Sequence, residues 1–405
     1  MLRLLCLWIH GTGKILYEKD ADKKMYPAST TKIMTAILAL ENRLLTDTAT
    51  VSYNAIFTVP VGYNNANLQL DETLTYEQLL HVLLIPSAND AANVIAEDIA
   101  GSVESFASMM NTKARELGCE NTHFVNANGV HDENHYSTAY DLALIGKYAM
   151  NNETFRKLVS TVRYTLPVTN KYDKEDRVFL TTNRLVNPKS GQYYEYATGI
   201  KTGYTDAAKN CIVASAKKDN MELICVIMGA GSDISTDTNK FDDCITLFDY
   251  GFENYKYDTL CKANDVFKVI TPRNASSDTK NLNVLYENDI NALVKMDNSL
   301  GNFSPEVELD EKLKAPIKKG SVIGKISYTI DGIKYTTNLI AGQDILASSI
   351  FSLVLKIALV IFALYILKCV LNFINKGKKK KKKSKKSKSK KKSSKNTYSF
   401  YKFDY

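Results

Sequence analysis

The sequence lacks the patterns that define several classes of protein. Its seven cysteines are an odd number and include no C-x-x-C pair, which excludes a disulfide framework and a cysteine zinc site. No G-x-S-x-G segment is present, although the nucleophile elbow of many Ser-His-Asp hydrolases requires one. Cys211 and Cys225 lie in apolar, strand-like runs, so we expect both thiols to be buried.

A zinc-protease motif is missing as well. His131 and His135 have the i, i+4 spacing at which two histidines can share a metal ion. Asp132, however, stands where that motif has glutamate, and the preceding Asn128-Gly129 pair predicts a loop in place of a helix. We therefore expect no metal and no other cofactor, and a metal hydrolase is the weaker alternative.

Acidic residues are scarce in the C-terminal segment. Residues 376–405 contain 15 lysines and a single acid, Asp404, so they carry a formal charge of +14. The whole chain carries +8, which leaves −6 for the remainder. Because the remainder is mildly acidic, it has no electrostatic reason to bind nucleic acid.

One long apolar run precedes this basic tail. Residues 349–374 contain two charges, Lys356 and Lys368, both away from the centre, and about 20 apolar residues suffice to span a bilayer. The run is apolar on every face, which favours a spanning helix over one lying flat on the surface. Polybasic segments stay on the cytoplasmic side, so we expect a single-pass anchor in the cell membrane, a cytoplasmic tail and an extracellular globular part.

The N-terminal residues lack the cleavage site of a signal peptide. Met1–Ile9 predicts a strand that forms a hairpin with Lys14–Tyr17, and export then requires a start further upstream. Helical periodicity predicts helices at Thr31–Leu40, Tyr76–Leu84, Asp90–Ile99, Val103–Leu117 and Thr138–Asn151. Strand patterns follow at Cys211–Lys217, Glu222–Met228, Phe267–Ile270, Ser321–Tyr328 and Lys334–Ile340.

Ser29-Thr-Thr-Lys32 stands at the start of an apolar helix. Residues i and i+3 share a helical face, so the Ser29 hydroxyl and the Lys32 amine can form a hydrogen bond. A serine nucleophile needs a base, and a desolvated lysine of lowered pKa can supply one, while the free N–H groups of the helix start face a developing oxyanion. Alone the motif is weak, because Ser215–Lys218 and Ser277–Lys280 share its spacing and serine commonly caps helices.

Ser87-Ala-Asn89 and Lys201-Thr-Gly203 are two further polar motifs. Ser87 and Asn89 follow a proline between two predicted helices, where their side chains can point into a cleft or simply cap a helix. Lys201 and Thr202 on a strand edge can bind a carboxylate, and Gly203 lets a substrate backbone approach closely.

In this order the three motifs resemble the S-x-x-K, S-x-N and K-T-G signature of the serine penicillin-recognising enzymes. More narrowly, the chain resembles the low-molecular-mass penicillin-binding proteins that are serine-type D-alanyl-D-alanine carboxypeptidases, the peptidase S11 family. The resemblance covers residues 11–345 and includes the segments Gly13–Lys19, Tyr26–Thr35, Leu84–Ala92, Phe124–Asp132, Thr138–Ala143 and Gly199–Asp206.

The resemblance implies an α+β fold. We expect a transpeptidase-like catalytic domain with an antiparallel sheet flanked by helices (residues 1–254), a small β-rich stalk domain (255–345), a transmembrane helix (349–374) and a basic cytoplasmic tail (375–405). The implied partners are peptidoglycan stem peptides that end in D-Ala-D-Ala, β-lactams as covalent inhibitors, and the bacterial cell membrane, with no nucleic acid.

The resemblance also implies a role for each matching residue. Ser29 is expected to form an acyl-enzyme with Lys32 as general base, while Ser87 relays a proton and Asn89 positions the substrate. The expected substrate-binding residues are Lys201, Thr202, Gly203 and Tyr204, the last through its backbone N–H in an oxyanion hole shared with Ser29.

Two rival functions and one departure from the family remain. A class A β-lactamase shares the three motifs but also needs an E-x-x-L-N segment, which is missing between Asn89 and Lys201. A catalytically silent, membrane-tethered penicillin-binding or wall-binding protein is the non-enzyme alternative, and the completeness of all three motifs argues against it. Lys209 stands where family members commonly have glycine, which we expect to alter the cleft wall without removing the chemistry.

Overall fold

A computed structural model describes residues 4–231, 239–296, 304–310 and 312–390. The chain forms two compact units, Met1–Asp258 with Leu293–Gly301, and Thr259–Ala292 with Asn302–Tyr405. The return of residues 293–301 to the first unit was not expected from the boundary at 254. It occurs because Leu293 is buried in the core of that unit together with Phe248.

The first unit combines helices with antiparallel strands. Its helices are α1 (Lys32–Asn42), α2 (Tyr53–Phe57), α3 (Tyr76–Leu84), α4 (Asn89–Ala100), α5 (Val103–Glu116), α6 (Ala139–Ala149), α7 (Glu153–Ser160) and α8 (Asn239–Asn254). Its strands are β1 (Leu4–Ile9), β2 (Ile15–Lys19), β3 (Thr48–Thr50), β4 (Thr73–Thr75), β5 (Arg163–Leu166), β6 (Arg177–Leu180), β7 (Ala197–Thr205), β8 (Lys209–Lys218) and β9 (Met221–Ala230).

A five-stranded antiparallel sheet of order β2-β1-β9-β8-β7 lies between two layers of helices. One face packs on a large core that includes Ile33 and Phe106, and the other packs on a smaller core built with α8 through Phe241 and Phe248. Because the central strands are covered on both faces, β8 and β9 contain the continuous apolar runs Cys211–Ala214 and Leu223–Met228. Strand β7 lies at the edge of this sheet, which leaves one side of it open to a ligand.

Local sequence signals fix the ends of several helices. Thr75 and Gln78 form a reciprocal capping box at the start of α3. The Thr138 hydroxyl accepts a hydrogen bond from the Asp141 N–H at the start of α6. Gly101 ends α4 with a φ of +78°, a conformation that glycine adopts without strain.

The predicted helices and strands are confirmed, with ends that shift by at most about two residues. The N-terminal hairpin is present as β1 and β2, and Met1–Arg3 of its predicted first strand lie outside the described residues. Helices α7 and α8 and the β5–β6 hairpin were not predicted. The predicted burial of Cys211 and Cys225 is confirmed, since both thiols are fully buried.

The second unit contains the small all-β fold that the sequence predicted. A two-stranded sheet of β10 (Tyr255–Cys261) and β13 (Ile290–Lys295) carries the chain between the units. The remaining strands are β11 (Val266–Ile270), β12 (Leu282–Tyr286), β14 (Glu306–Leu309), β15 (Val322–Ile330) and β16 (Ile333–Ala341). They form a sheet of order β11-β12-β16-β15-β14 around a small core with Leu282, Ile326 and Leu339.

A single long helix, α9 (Ser349–Lys390), follows the β domain. Its stretch Val354–Lys376 is long and apolar enough to cross a membrane, judged by length and composition. The apolar side chains of this stretch are exposed in the protein itself. An apolar surface of this kind is what contact with lipid requires.

Candidate active site

Ser29 lies in a short 3₁₀ turn, Ala28–Thr31, immediately before α1. The sequence had placed it at the opening of the α-helix itself. In a 3₁₀ turn, residues i and i+3 eclipse one another, so the change places Ser29 directly above Lys32. The Lys32 Nζ donates a hydrogen bond to the Ser29 Oγ over 3.0 Å.

The Lys32 amine is fully buried and surrounded by oxygen acceptors. Besides Ser29 it contacts the Asn89 Oδ1 at 2.8 Å and the backbone oxygen of Asn128 at 2.6 Å. Burial, followed by repulsion from Lys201, lowers the pKa of Lys32 well below its ordinary value. The amine can therefore lose its proton at a pH where an exposed lysine would keep it.

Ser87 lies on the break between α3 and α4, as predicted, and Asn89 is the first residue of α4. Ser87 adopts a φ of +69°, which is uncommon for a residue with a side chain, and its buried Oγ has no hydrogen-bond partner among the described residues. The Asn89 Nδ2 donates to the Asn64 backbone oxygen at 2.7 Å. That bond leaves the Asn89 Oδ1 facing Lys32, so the amide orientation is fixed at both ends.

Lys201, Thr202 and Gly203 lie on the edge strand β7. The Lys201 amine is buried, and burial together with the neighbouring charge of Lys240 lowers its pKa to about 7. The Thr202 Oγ1 lies 2.6 Å from the Thr182 Oγ1. A cation and hydroxyl groups therefore meet on the open side of the sheet.

Two glycines allow the catalytic segments to meet. A Cβ on Gly203 would lie 2.9 Å from the Ser29 backbone nitrogen, so strand β7 can touch the Ser29 turn only if it carries glycine there. A Cβ on Gly129 would lie 1.9 Å from the Ala28 carbonyl oxygen, and Gly129 also has a φ of +83°. Glycine at these two positions brings together segments distant in sequence.

These segments enclose a cleft of about 420 Å³ in the first unit. Of the residues expected from sequence, Ser29, Ser87, Asn89, Thr202, Gly203 and Tyr204 line it. Lys32 and Lys201 lie behind this wall, where Lys32 contacts both Ser29 and Asn89. The structure thus brings the eight candidate residues to one place.

Besides the Asn64 carbonyl that holds Asn89, sequence reasoning missed three contributors to this site. The Asn128 carbonyl holds Lys32, and the following Gly129 was the visible signal of a close backbone approach. Thr182 pairs with Thr202 and comes from a segment without any pattern. Lys240 is buried and lines the cleft. The sequence pattern that could have identified it is its i, i+4 spacing from Cys244, which places this lysine on the buried face of α8.

Lys209 lies outside the described lining of the cleft. It has a φ of +57° in the β7–β8 turn, where it follows a three-residue loop. Glycine is favoured at such a position because a side chain is strained there. Lysine in place of the family's glycine therefore changes the β7–β8 turn. Lys209 does not line the described cleft, so we found no direct contact through which it would alter the cleft wall.

The His131–His135 segment is a loop, as its sequence indicated. His135 is buried, with its Nε2 2.8 Å from the Thr31 Oγ1 and its Nδ1 accepting from the Val125 N–H at 3.2 Å. Burial lowers the pKa of His135 to about 3. Both ring nitrogens are hydrogen-bonded within the protein, so His135 has a structural role in holding the turn that contains Ser29.

Comparison with known families agrees with this geometry. Residues 7–232 match the model of the D-alanyl-D-alanine carboxypeptidases, peptidase S11. The chain belongs to this family. Residues 255–347 match the C-terminal domain of penicillin-binding protein 5, which accounts for the β-rich second unit of this S11 peptidase.

Individual relatives cover most of the S11 chain. It is 32% identical over 352 residues to the D-alanyl-D-alanine carboxypeptidase DacF of Bacillus subtilis, covering 85% of this chain and 86% of that protein. It is 31% identical to DacC of Escherichia coli, with 80% of each chain covered. Penicillin-binding protein 5 from Haemophilus influenzae matches with a TM-score of 0.63 and 27% identity, covering 85% of this chain and 97% of that one. The chain is therefore a serine-type carboxypeptidase and a low-molecular-mass penicillin-binding protein.

Proposed function

We propose that this enzyme removes the terminal D-alanine from peptidoglycan stem peptides through an acyl-enzyme on Ser29. The observation that carries the proposal is the position of the buried Lys32 amine, which has three oxygen neighbours and one of them is the Ser29 hydroxyl. Family membership gives the class of reaction, and this geometry supports the residue roles.

The acceptors around Lys32 favour its action as a base toward Ser29. A neutral amine keeps two N–H donors and gains one lone pair. The Asn89 Oδ1 and the Asn128 carbonyl can only accept hydrogen bonds, so they take the two donors. The lone pair then faces the Ser29 Oγ, whose proton it can remove as the oxygen attacks the peptide carbonyl.

The proton must next reach the leaving amine. Ser87 is suited to pass it on, since its Oγ lies in the cleft wall and no described residue takes up its hydrogen bonding. The Ser29 Oγ–C bond forms, the C–N bond breaks, and D-alanine leaves with the relayed proton on its nitrogen. Water then hydrolyses the ester and returns the proton to the site.

Strand β7 is suited to hold the substrate ends. The terminal carboxylate is matched by the Thr202 hydroxyl and by the ammonium groups of Lys201 and Lys240. The backbone N–H groups of Ser29 and Tyr204 form the proposed oxyanion hole. The close approach of Gly203 to the Ser29 nitrogen supports this pairing, because Tyr204 is the next residue of the strand.

We also propose the topology of the whole chain. Residues 1–254 form the catalytic domain and 255–345 the stalk outside the cell, residues 349–374 cross the membrane, and 375–405 form a cytoplasmic tail. The apolar stretch of α9 and the lysines that follow it support this arrangement.

The decisive experiment compares covalent labelling with catalysis. The wild type should bind a fluorescent penicillin covalently and release D-alanine from a pentapeptide that ends in D-Ala-D-Ala, and Ser29→Ala should do neither. Ser277→Ala is the matched control, because the exposed Ser277–Lys280 pair has the same spacing without the buried cleft.

Three outcomes separate the alternatives. Labelling without any D-alanine release by the wild type would identify a silent penicillin receptor. Rapid loss of the label together with hydrolysed penicillin would identify a β-lactamase. Release of D-alanine by Ser29→Ala at the wild-type rate would show that another residue is the nucleophile.

A further inference from the structure

A buried histidine lies between two segments that hold the catalytic lysine. The His135 side chain is almost completely buried, and the Phe124 ring packs edge-on against it with the ring centroids 5.5 Å apart. Its Nε2 lies 2.8 Å from the Thr31 Oγ1, and its Nδ1 lies 3.2 Å from the Val125 backbone nitrogen. One imidazole ring therefore connects the turn before Lys32 with the loop that follows Phe124.

The hydrogen bonds of His135 fix which ring nitrogen carries the proton. A backbone N–H can only donate, so the bond from the Val125 N–H requires a free lone pair on Nδ1. The ring is then the neutral tautomer with its proton on Nε2, and this N–H donates to the Thr31 hydroxyl oxygen. Burial lowers the pKa of His135 to about 3, which keeps the ring in this form at neutral pH.

The loop that His135 holds also provides a hydrogen-bond acceptor for the catalytic lysine. The Asn128 carbonyl accepts from the Lys32 Nζ at 2.6 Å. Further along α1, the Thr35 hydroxyl donates to the Ala127 carbonyl at 2.5 Å. The loop and the start of α1 are thus joined by three hydrogen bonds, and the bond from His135 is the one that precedes the lysine.

We propose that His135 is a positioning residue for the general base of the reaction. This inference rests on the proposed role of Lys32 and goes beyond it, because His135 lies outside the three sequence motifs. The bond between His135 and Thr31 holds the loop and thereby keeps the Asn128 carbonyl against the lysine amine. That carbonyl takes up one N–H of the neutral amine, which leaves the lone pair directed at Ser29.

Two substitutions remove the same hydrogen bond from opposite ends. His135→Leu replaces the ring by an apolar side chain, and Thr31→Val removes only the accepting hydroxyl from a side chain of the same shape. In the full chain, each should lower kcat for D-alanine release about tenfold or more and leave KM within about twofold, because a misdirected base slows acylation while substrate binding is kept. The rate of covalent labelling by a fluorescent penicillin should fall by a similar factor, because it depends on the same base.

Two further variants test whether the hydrogen bond itself is responsible. His135→Gln keeps an N–H donor and an oxygen acceptor on the side chain, so it should recover part of the kcat that His135→Leu loses. The double variant His135→Leu with Thr31→Val should be no slower than the slower single variant, because both substitutions remove one shared bond.

Thr122→Val is the matched control for Thr31→Val. The Thr122 hydroxyl lies 2.8 Å from the Ser137 Oγ and 2.7 Å from the Asp141 Oδ2, just before the same loop. Its loss removes threonine hydrogen bonds that hold no described part of the Ser29 turn. Thr122→Val should therefore keep the wild-type kcat even if thermal unfolding shows a comparable loss of stability.

The outcomes distinguish this inference from the function on which it rests. A wild-type kcat and labelling rate in both folded single variants would overturn the inference, as would an equal loss of kcat in Thr122→Val. Penicillin labelling reports on the base without peptide hydrolysis. Absence of D-alanine release by the wild type would therefore count against the proposed carboxypeptidase activity, while the labelling rates would still decide the role of His135.

Discussion

At the scale of single residues, the active site depends on lysines held away from water. Lys32, Lys201 and Lys240 are all buried, and the charge of each of the last two lowers the pKa of a neighbouring lysine. A buried amine is the usual means of making lysine a base near neutral pH. The same burial makes Lys201 a carboxylate ligand only while it stays protonated.

These two requirements predict a bell-shaped pH profile of kcat/KM for D-alanine release. Activity rises with pH as Lys32 loses its proton, because only the neutral amine can act as a base. Activity falls again with an apparent pKa of about 7 as Lys201 loses the charge that binds the carboxylate. The measurement is the initial rate at low substrate concentration across the pH range.

A neighbouring charge provides the control for this assignment. Lys240→Met removes a cation that lowers the pKa of Lys201, so the basic limb should move to higher pH even though carboxylate binding weakens. A basic limb at an unchanged pH in this variant would show that it belongs to another group.

Lys209 gives a second prediction, on stability. Lys209→Gly should raise the free energy of unfolding by about 0.5–1 kcal/mol, since glycine removes the side-chain strain at φ +57° and costs only part of that gain in chain entropy. Thermal unfolding checks it. Lys209→Ala keeps the Cβ and should give no such gain, and an equal gain in both variants would exclude backbone strain as the cause.

The residues of the site differ in how well sequence could find them. Ser29 and Lys32 were predictable because one helical turn connects them, and Lys201 to Gly203 because they form a continuous tripeptide. Asn128 contributes its backbone carbonyl, and because every residue has a carbonyl, the residue type does not reveal this role. Lys240 acts through a fold contact between α8 and the sheet, which only the tertiary structure supplies.

At the scale of elements, one wall of the cleft is a loop fastened by buried charges. The Asp90 carboxylate accepts from the Ala66 and Leu68 N–H groups. On the other side, the Arg177 guanidinium of β6 donates to the Asn67 carbonyl at 3.0 Å and pairs with the fully buried Glu72. Val61–Asn64 lines the cleft, and these contacts fix the segment that follows it in the chain.

We call the contacts of Arg177 with Glu72 and with the Asn67 carbonyl the loop clamp. Loss of the loop clamp should affect both stability and substrate binding. Arg177→Met leaves the buried Glu72 carboxylate without its cationic partner, although the Gln69 N–H and the Thr169 hydroxyl still donate to it, and should cost about 3–5 kcal/mol of unfolding free energy. The double variant Arg177→Met with Glu72→Gln should recover much of that loss. Both variants should still show a raised KM for the peptide, because the hydrogen bonds from Arg177 to the loop are absent.

Another bidentate pair in the same unit serves as the control. Arg156 and Glu222 are joined by bonds of 2.6 and 2.9 Å, but they are partly exposed and hold no part of the cleft. Arg156→Met should cost about 1 kcal/mol or less and leave KM unchanged. If Arg156→Met raised KM as much as Arg177→Met does, the cause of the raised KM would be general destabilisation and not loss of the loop clamp.

The elements that sequence predicted well are those with strong local signals. Tyr76–Leu84 was predicted from its periodicity with its observed bounds, and in the structure Thr75 caps its start and Pro86 follows its end. The β5–β6 hairpin was missed, since its two short strands are separated by a polar loop and owe their pairing to distant contacts such as that of Arg177 with Glu72. Helix α8 was not predicted, although Thr238 and Asn239 before its first apolar positions are residue types that commonly cap helices.

At the scale of the whole molecule, the proposed membrane anchor in α9 predicts how the full chain fractionates. The full chain should fractionate with membranes and resist extraction by high salt, because a spanning helix is held by apolar burial and not by charge. A chain that ends at Ala347 should be soluble without detergent and still release D-alanine. Release of the full chain from membranes by salt alone would show that the lysine tail, bound to anionic lipid, is the anchor.

The burial of the thiols has a practical consequence for labelling this enzyme. Six of the seven cysteines are buried, and Cys369 is exposed on the apolar stretch of α9, which the proposed topology places inside the bilayer. Burial raises the pKa of the Cys211 thiol to about 11, so little thiolate forms near neutral pH. In the membrane-bound protein, a cysteine introduced at an exposed position such as Asp219 should therefore be the single thiol that a water-soluble maleimide reaches, and spectroscopic probes can be attached without first removing the native cysteines.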